Sequence, residues 1–337
     1  MFKIDIHTHI IPNNLNEIIS TFNDKRFLSI KFVDDYNAVL IKDDQDFRKI
    51  SCNCWHPQKR ISEFSNTGVD IQILSTIPVL FSYWAKDDEG LKLSEFLNNH
   101  IYDVVLNNEK HFIGLGTIPM QNVDLAIKEM DRCINELNFP GIQIGSNVNG
   151  ENLSEKKFDP IFKHAEKINC SIFVHPWEMM GTSDMKKYWL PWLVGMPAET
   201  ALSICSLIFG GVFEKLPKLR IAFAHGGGAF PSIIGRLEHG FNVRPDIVAT
   251  HNKHNPRDYI GKFYLDSLVH EPSVLQYMID LFGANCIALG SDYPFPLGEA
   301  NPGKMIKNMK LEKDIVRSLY SNTALKWLNL RRKDYKN

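Results

Sequence analysis

A chain of 337 residues, 44% of them hydrophobic, is long enough for one large domain or two ordinary ones and can bury a sizeable core. A formal net charge of −1 excludes a general attraction to nucleic acid or to an anionic membrane, so an anionic ligand has to be held by a few placed cations. No apolar run approaches the ~20 residues of a membrane span, and most of the six cysteines sit alone in apolar runs, as buried thiols of a reducing cytoplasm do.

Taken in chain order, short apolar runs alternate with helical patterns. Phe2–His9 reads as a first core strand, not as a secretory signal, and a cytoplasmic location is expected. Residues 11–55 follow as a polar insertion rich in Asp and Lys, with short alternating pieces such as Ala38–Ile41. Within it, Cys52-Asn53-Cys54 lacks the spacing of a zinc ribbon. Pro57 opens a helix with Ile61 and Phe64 on its inner face, and Gly68 ends it. Further strands are Asp70–Ile77 and His111–Ile118. Leu125, Met130, Cys133, Ile134 and Leu137 then mark a helix stopped by Pro140-Gly141.

Strands Gly141–Gly145 and Ser171–His175 come next, then a long connection over 176–196 carrying Trp177, Trp189 and Trp192. Strands Arg220–His225, Lys262–Asp266 and Cys286–Gly290 complete a set of eight, the last preceded by a helix with Val274, Leu275, Met278, Ile279 and Phe282 inside. Alternating β and α units restrict the fold to a doubly wound sheet or a barrel. Eight units in this length favour a (β/α)8 TIM barrel, one domain over 1–337 with an insertion after the first strand. Both long connections belong over the mouth, where barrel active sites are built.

His7-Thr8-His9 is the strongest local signal. Side chains two apart on a strand share a face, so two imidazoles at a strand end can grip one ion. His175 ends the fifth strand, His225 the sixth, and Asp292 follows the eighth; all fall on the catalytic face of a barrel. Zinc takes about four nitrogen, oxygen or sulfur donors, so one of these five polar residues is free to serve as acid or base on water. The set suits Zn²⁺ better than the oxygen-seeking Mg²⁺ or Ca²⁺, with Fe, Mn and Co as the other metals it would accept. Gly226–Gly228 lacks phosphate-loop spacing and reads as close backbone packing around His225.

With these residues in place the sequence resembles the amidohydrolase superfamily and, within it, the 2-amino-3-carboxymuconate 6-semialdehyde decarboxylases of tryptophan catabolism. Ile4–His9, Pro78–Ala85, Phe139–Gly145, Phe173–Trp177, Tyr188–Thr200, Gly211–Leu219, Ala222–Phe230 and Gly290–Glu299 carry the resemblance. It implies that His7, His9, His175 and Asp292 are the zinc ligands and His225 the catalytic base. Arg48 matches an arginine that binds a substrate carboxylate. Arg236 matches a second arginine, supplied from the neighbouring subunit of a homodimer. Trp192 and Phe295 match pocket aromatics, and Lys42 a nearby lysine. Related barrels commonly bridge two metals with a modified lysine on the fourth strand; Gly141–Gly145 has none, which argues for one metal.

The implied reaction is a decarboxylation of a small dicarboxylate without an organic cofactor, Arg48 and Arg236 each gripping a carboxylate. Other readings are decarboxylation of a related aromatic acid, hydrolysis of a cyclic amide or lactone, and a non-catalytic metal-binding role. Arg236, in the helix after the sixth strand, reaches a site only across a dimer interface. Trp189 is read as a packing residue, and the Glu178–Gly181 stretch departs in detail from the family.

Overall fold

The computed structural model describes residues 1–335. Its strands, in chain order, are β1 (Ile4–Ile10), β2 (Ser29–Phe32), β3 (Asn37–Lys42), β4 (Gln45–Ser51), β5 (Ile71–Thr76), β6 (Phe112–Gly114), β7 (Gly116–Thr117), β8 (Gly141–Gly145), β9 (Asn147–Val148), β10 (Glu151–Asn152), β11 (Ser171–His175), β12 (Ile221–Phe223), β13 (Tyr264–Asp266) and β14 (Ile287–Ala288). The predicted third strand is broken at Leu115 into β6 and β7. Parallel pairing runs β1-β5-β6 and then β7-β8-β11-β12-β13-β14. Beyond β14 the chain stays beside β1: Ile6 N donates to Leu289 O, Asp292 N to His7 O and His9 N to Tyr293 O, each at 2.8 Å. These bonds close the (β/α)8 barrel.

The register of β1 against β5 slips between Asp5 and Thr8. Such a bulge re-aims side chains. Ile4 before it and Ile6 within it join Ile71, Ile73 and Phe173 in the apolar barrel interior. His7, the next residue of the bulge, also turns inward, its ring 5.0 Å from that of Phe173. The bottom of the barrel is stoppered by the fully buried Trp327, whose carbonyl accepts from Ser171 Oγ at 2.7 Å and Arg220 Nε at 2.8 Å.

The insertion is a folded lobe. A short helix (Leu15–Ile19) leads into the antiparallel meander β2-β3-β4. Ile11, Leu15, Phe27, Ile30 and Leu40 on its underside pack against Ile77, Val79 and Leu80 of the loop after β5, which fastens it over the mouth.

The second long connection is shorter than expected. Helical structure begins at Pro191, as a π turn that becomes the α-helix Met196–Phe209. Proline fits the first turn of a helix, where its missing N–H costs nothing. Pro191–Phe209, 19 residues, is long and apolar enough to cross a membrane, which corrects the expectation that no stretch is. Half of it is buried, with Ile204, Leu207 and Ile208 against the barrel.

Candidate active site

Three imidazoles converge at the mouth, each held from behind. His7 Nδ1 lies 2.6 Å from Asp266 Oδ2, His9 Nδ1 3.0 Å from Thr76 O, and His175 Nδ1 2.9 Å from Pro176 O. A proton on each Nδ1 leaves Nε2 as the free lone pair, the tautomer a metal takes. The Nε2 atoms of all three are buried and make no hydrogen bond to a described residue. They face Asp292 instead, whose Oδ1 is 3.1 Å from His9 Nε2 and 3.5 Å from His7 Nε2.

Donor atoms of His7, His175, His225 and Asp292 all lie within 4.8 Å of one another. Donors about 2 Å from one ion stand roughly 3–4 Å apart. The His9 ring is 5.1 Å from those of both His7 and His175, so it belongs to the same cluster. All five predicted residues therefore meet at one point.

The electrostatics agree with metal binding. Burial, reinforced by the neighbouring histidines, holds His175 well below the usual histidine range. Burial lowers His9 as well, against the pull of Asp292. Burial would raise Asp292, but the imidazoles crowded against it, His225 and His9 foremost and His7 beside them, hold it well below the usual carboxylate range. Neutral imidazoles and an ionised carboxylate, with orphaned buried nitrogens aimed at one point, fit a divalent transition metal.

His225 differs from the other three histidines in its backbone. It adopts φ +56° at the start of a tight turn, and its Nε2 is 3.8 Å from Asp292 Oδ2. Gly226 and Gly228 continue the turn at φ +61° and +59°. A Cβ on Gly228 would sit 2.3 Å from Pro197 O and one on Gly226 2.4 Å from Val269 Cγ1, so the run serves close packing.

Asp266 escaped the sequence reading. It accepts from His7 Nδ1, from His225 N at 2.9 Å and from Gly226 N at 2.8 Å, tying a candidate ligand to the candidate base. Its signal was available: it is a carboxylate ending a predicted strand, as His175 and His225 end theirs. Gly290 leaves room for this pair, since a Cβ there would meet Asp266 Cβ at 2.7 Å and His7 Cβ at 3.0 Å. On the fourth barrel strand Gln143 is buried, donating to Thr76 O at 2.9 Å and accepting from Ser75 Oγ at 2.8 Å. No anionic side chain stands there.

A cleft runs from His9, His175 and Asp292 to the rim, lined by Arg48, Trp177, Trp192 and Phe295. It has only about 40 Å³ of space, room for a few water molecules. Beyond Asp292 lies a 290 Å³ chamber lined by His225, Leu268 and Val269; Trp192 and Met196 border both spaces. The Arg48 guanidinium on β4 is 4.8 Å from the Phe295 ring, 5.4 Å from Phe47 and 5.6 Å from Trp192. It forms no hydrogen bond or ion pair with a described residue, and burial lowers its pKa against the charge of Asp292.

The remaining residues divide. Phe295 stacks obliquely 5.7 Å from the His9 ring. Lys42 Nζ stands 5.3 Å over Trp177 without itself lining the cleft. Trp189 is 42% exposed and lines the cleft, which corrects its reading as a packing residue. Arg236 is not in the cleft. It is exposed on helix Phe230–Val243 and lines an 820 Å³ groove with Leu202, Cys205, Phe209 and Ile247. Cys52 and Cys54 are buried free thiols, and burial pushes Cys54 up to about 12. Glu199, also missed, is buried and accepts from Met180 N at 3.0 Å and Asn147 Nδ2 at 2.9 Å, anchoring the start of the tryptophan-rich loop.

A barrel with a histidine-rich donor cluster at its mouth defines a metal-dependent enzyme of the amidohydrolase type. The amidohydrolase family matches residues 4–330, and the chain belongs to it. Within that family the chain belongs with the 2-amino-3-carboxymuconate-6-semialdehyde decarboxylases. It is 51% identical to the one from Dictyostelium discoideum, across 97% of this chain and 92% of that protein. It is 35% identical to the one from Caenorhabditis elegans, across 91% and 89%. The fold is shared with 5-carboxyvanillate decarboxylase of Novosphingobium aromaticivorans, solved with manganese and a nitrobenzoic acid: TM-score 0.81, 21% identity, 98% of this chain and 96% of that one.

Proposed function

We propose that the chain decarboxylates 2-amino-3-carboxymuconate 6-semialdehyde to 2-aminomuconate 6-semialdehyde, a step of tryptophan breakdown, using one zinc ion and no organic cofactor. The observation that carries this is Arg48: a half-buried guanidinium in an aromatic cage beside the donor cluster, with no anionic partner among the described residues. Such a cation fits a substrate carboxylate, which its planar fork grips by two hydrogen bonds.

His7, His9, His175 and Asp292 would hold the ion, which when bound supplies Lewis acidity and lowers the pKa of water. His225, at the imidazole that faces Asp292, takes a proton from a water that adds to the conjugated carbon next to the departing carboxylate. The bond to that carboxylate then breaks to release carbon dioxide, and the proton returns as the added water is lost, so no water is consumed. Asp266 fixes the backbone of that histidine. Trp192 and Phe295 cover the conjugated chain of the substrate, and Lys42 adds positive charge at the rim.

The substrate carries two carboxylates, and one chain places one free arginine in the cleft. Arg236 of a second copy would supply the other. Its surroundings support a symmetric dimer contact: an exposed arginine in a groove lined by Leu202, Phe209 and Ile247. The test is to follow loss of substrate absorbance and release of carbon dioxide by purified protein of measured metal content and mass. One zinc per chain, one carbon dioxide per substrate and a dimer are expected. Hydrolysis without carbon dioxide would overturn the reaction, and a fully active monomer the shared site.

A further inference from the structure

Arg60 is fully buried on the helix Pro57–Ser65 and has no ion pair with a described residue. A buried cation without an anion is costly and persists only where its hydrogen bonds are well used. Its Nη1 donates to His9 O at 2.6 Å and Asn53 O at 3.1 Å. Its Nη2 donates to Thr8 Oγ1 at 3.2 Å and Gln72 Oε1 at 3.0 Å. The guanidinium also lies 4.7 Å from the ring of Tyr293.

These partners are not scattered. Thr8 and His9 belong to the run that carries two candidate ligands, and Tyr293 follows a third, Asp292. The same two segments are sewn together by His9 N to Tyr293 O and Asp292 N to His7 O, both at 2.8 Å. Asn53 sits at the end of the insertion, just past β4 and Arg48. A planar fork can reach four oxygens on three segments and still present a face to an aromatic ring; a lysine or a neutral amide cannot.

We propose that Arg60 is a positioning residue of the metal centre. It fixes from behind the backbone from which His7, His9 and Asp292 project, and it ties the arm bearing Arg48 to the same point. The inference rests on the metal reading above.

The test measures zinc affinity by competition with a chelator, and the visible spectrum of cobalt-substituted protein, for wild type, Arg60→Met and Arg60→Lys. Thermal unfolding is recorded beside them. Loss of partners that orient metal ligands lowers affinity about 10–100-fold. Arg60→Met is expected to fall in that range with a shifted cobalt spectrum, and Arg60→Lys to lie between it and wild type. Wild-type affinity and spectrum in the variants, whatever their melting temperatures, would overturn the inference and leave the metal reading intact. Failure of the wild-type protein to bind either metal would overturn both. Should Arg60→Met not fold, Arg60→Lys and Tyr293→Leu decide by the same two measurements.

Discussion

The floor and the rim of the site are built differently. His7, His9 and His175 are each held on the side away from the site, by Asp266, Thr76 and Pro176. On the rim Arg48 and Lys42 stand over aromatic rings and pair with no described carboxylate. An ion tolerates little error in donor positions, so its ligands sit on strand ends with locked rotamers. A substrate carboxylate brings its own charge and some freedom, so its cations are left unpaired until it arrives. Electrostatic work is prepaid at the floor and deferred at the rim.

If that division holds, floor and rim variants fail in different ways. His225→Ala should lower kcat by about 10²–10⁴-fold, the usual contribution of a general base, with one metal per chain retained. Steady-state kinetics beside metal analysis checks it; loss of metal along with activity would move His225 into the ligand set. Next in size are the arginines. Removing one partner of a buried charged pair costs about 2–5 kcal/mol, so Arg48→Ala and Arg236→Ala should each lose kcat/KM on that scale while keeping the metal. Mixing the two variants should return part of the activity through hybrid dimers, in which one site is intact. No rescue on mixing would separate Arg236 from the site.

Asp266→Asn probes the floor from behind. It leaves every proposed ligand in place but removes the carboxylate that fixes His7. Metal affinity should fall about 10–100-fold, with activity restored by excess zinc. Unchanged affinity would mean that His7 is held well enough by Gly290 and Phe173 packing alone.

The same contrast explains what the sequence could say. Apolar runs with histidines at their ends made both the barrel and the floor legible, because a buried strand and a ligand at its tip each leave a local signature. The bulge in β1 left none: Ile4-Asp5-Ile6-His7 alternates without a break, yet Ile4, Ile6 and His7 all turn inward. The lobe over the mouth was legible only as a polar insertion, since Ile30, Leu40 and Ile50 are diluted by charges and find their core on the loop after β5. Pro191 disguised a helix start as loop. Arg48 and Arg236 look like any solvated arginine until their surroundings are known; resemblance supplied their roles, and the fold supplies the cage around one and the groove around the other.

The smallest effect is expected outermost. Trp189 lies 6.0 Å from Trp192, ring to ring, but is 42% exposed, so it can give only part of an aromatic contact. Such contacts are worth about 0.5–1.5 kcal/mol. Trp189→Ala should therefore raise KM a few-fold with kcat and metal content unchanged. Trp192→Ala differs in kind, because Trp192 borders both the 40 Å³ cleft and the 290 Å³ chamber. Removing it would merge the two spaces and loosen the cage around Arg48, so kcat should fall as well as KM rise. Equal effects from the two tryptophans would mean that the partition is irrelevant to turnover, and that substrate is held by the outer rim alone.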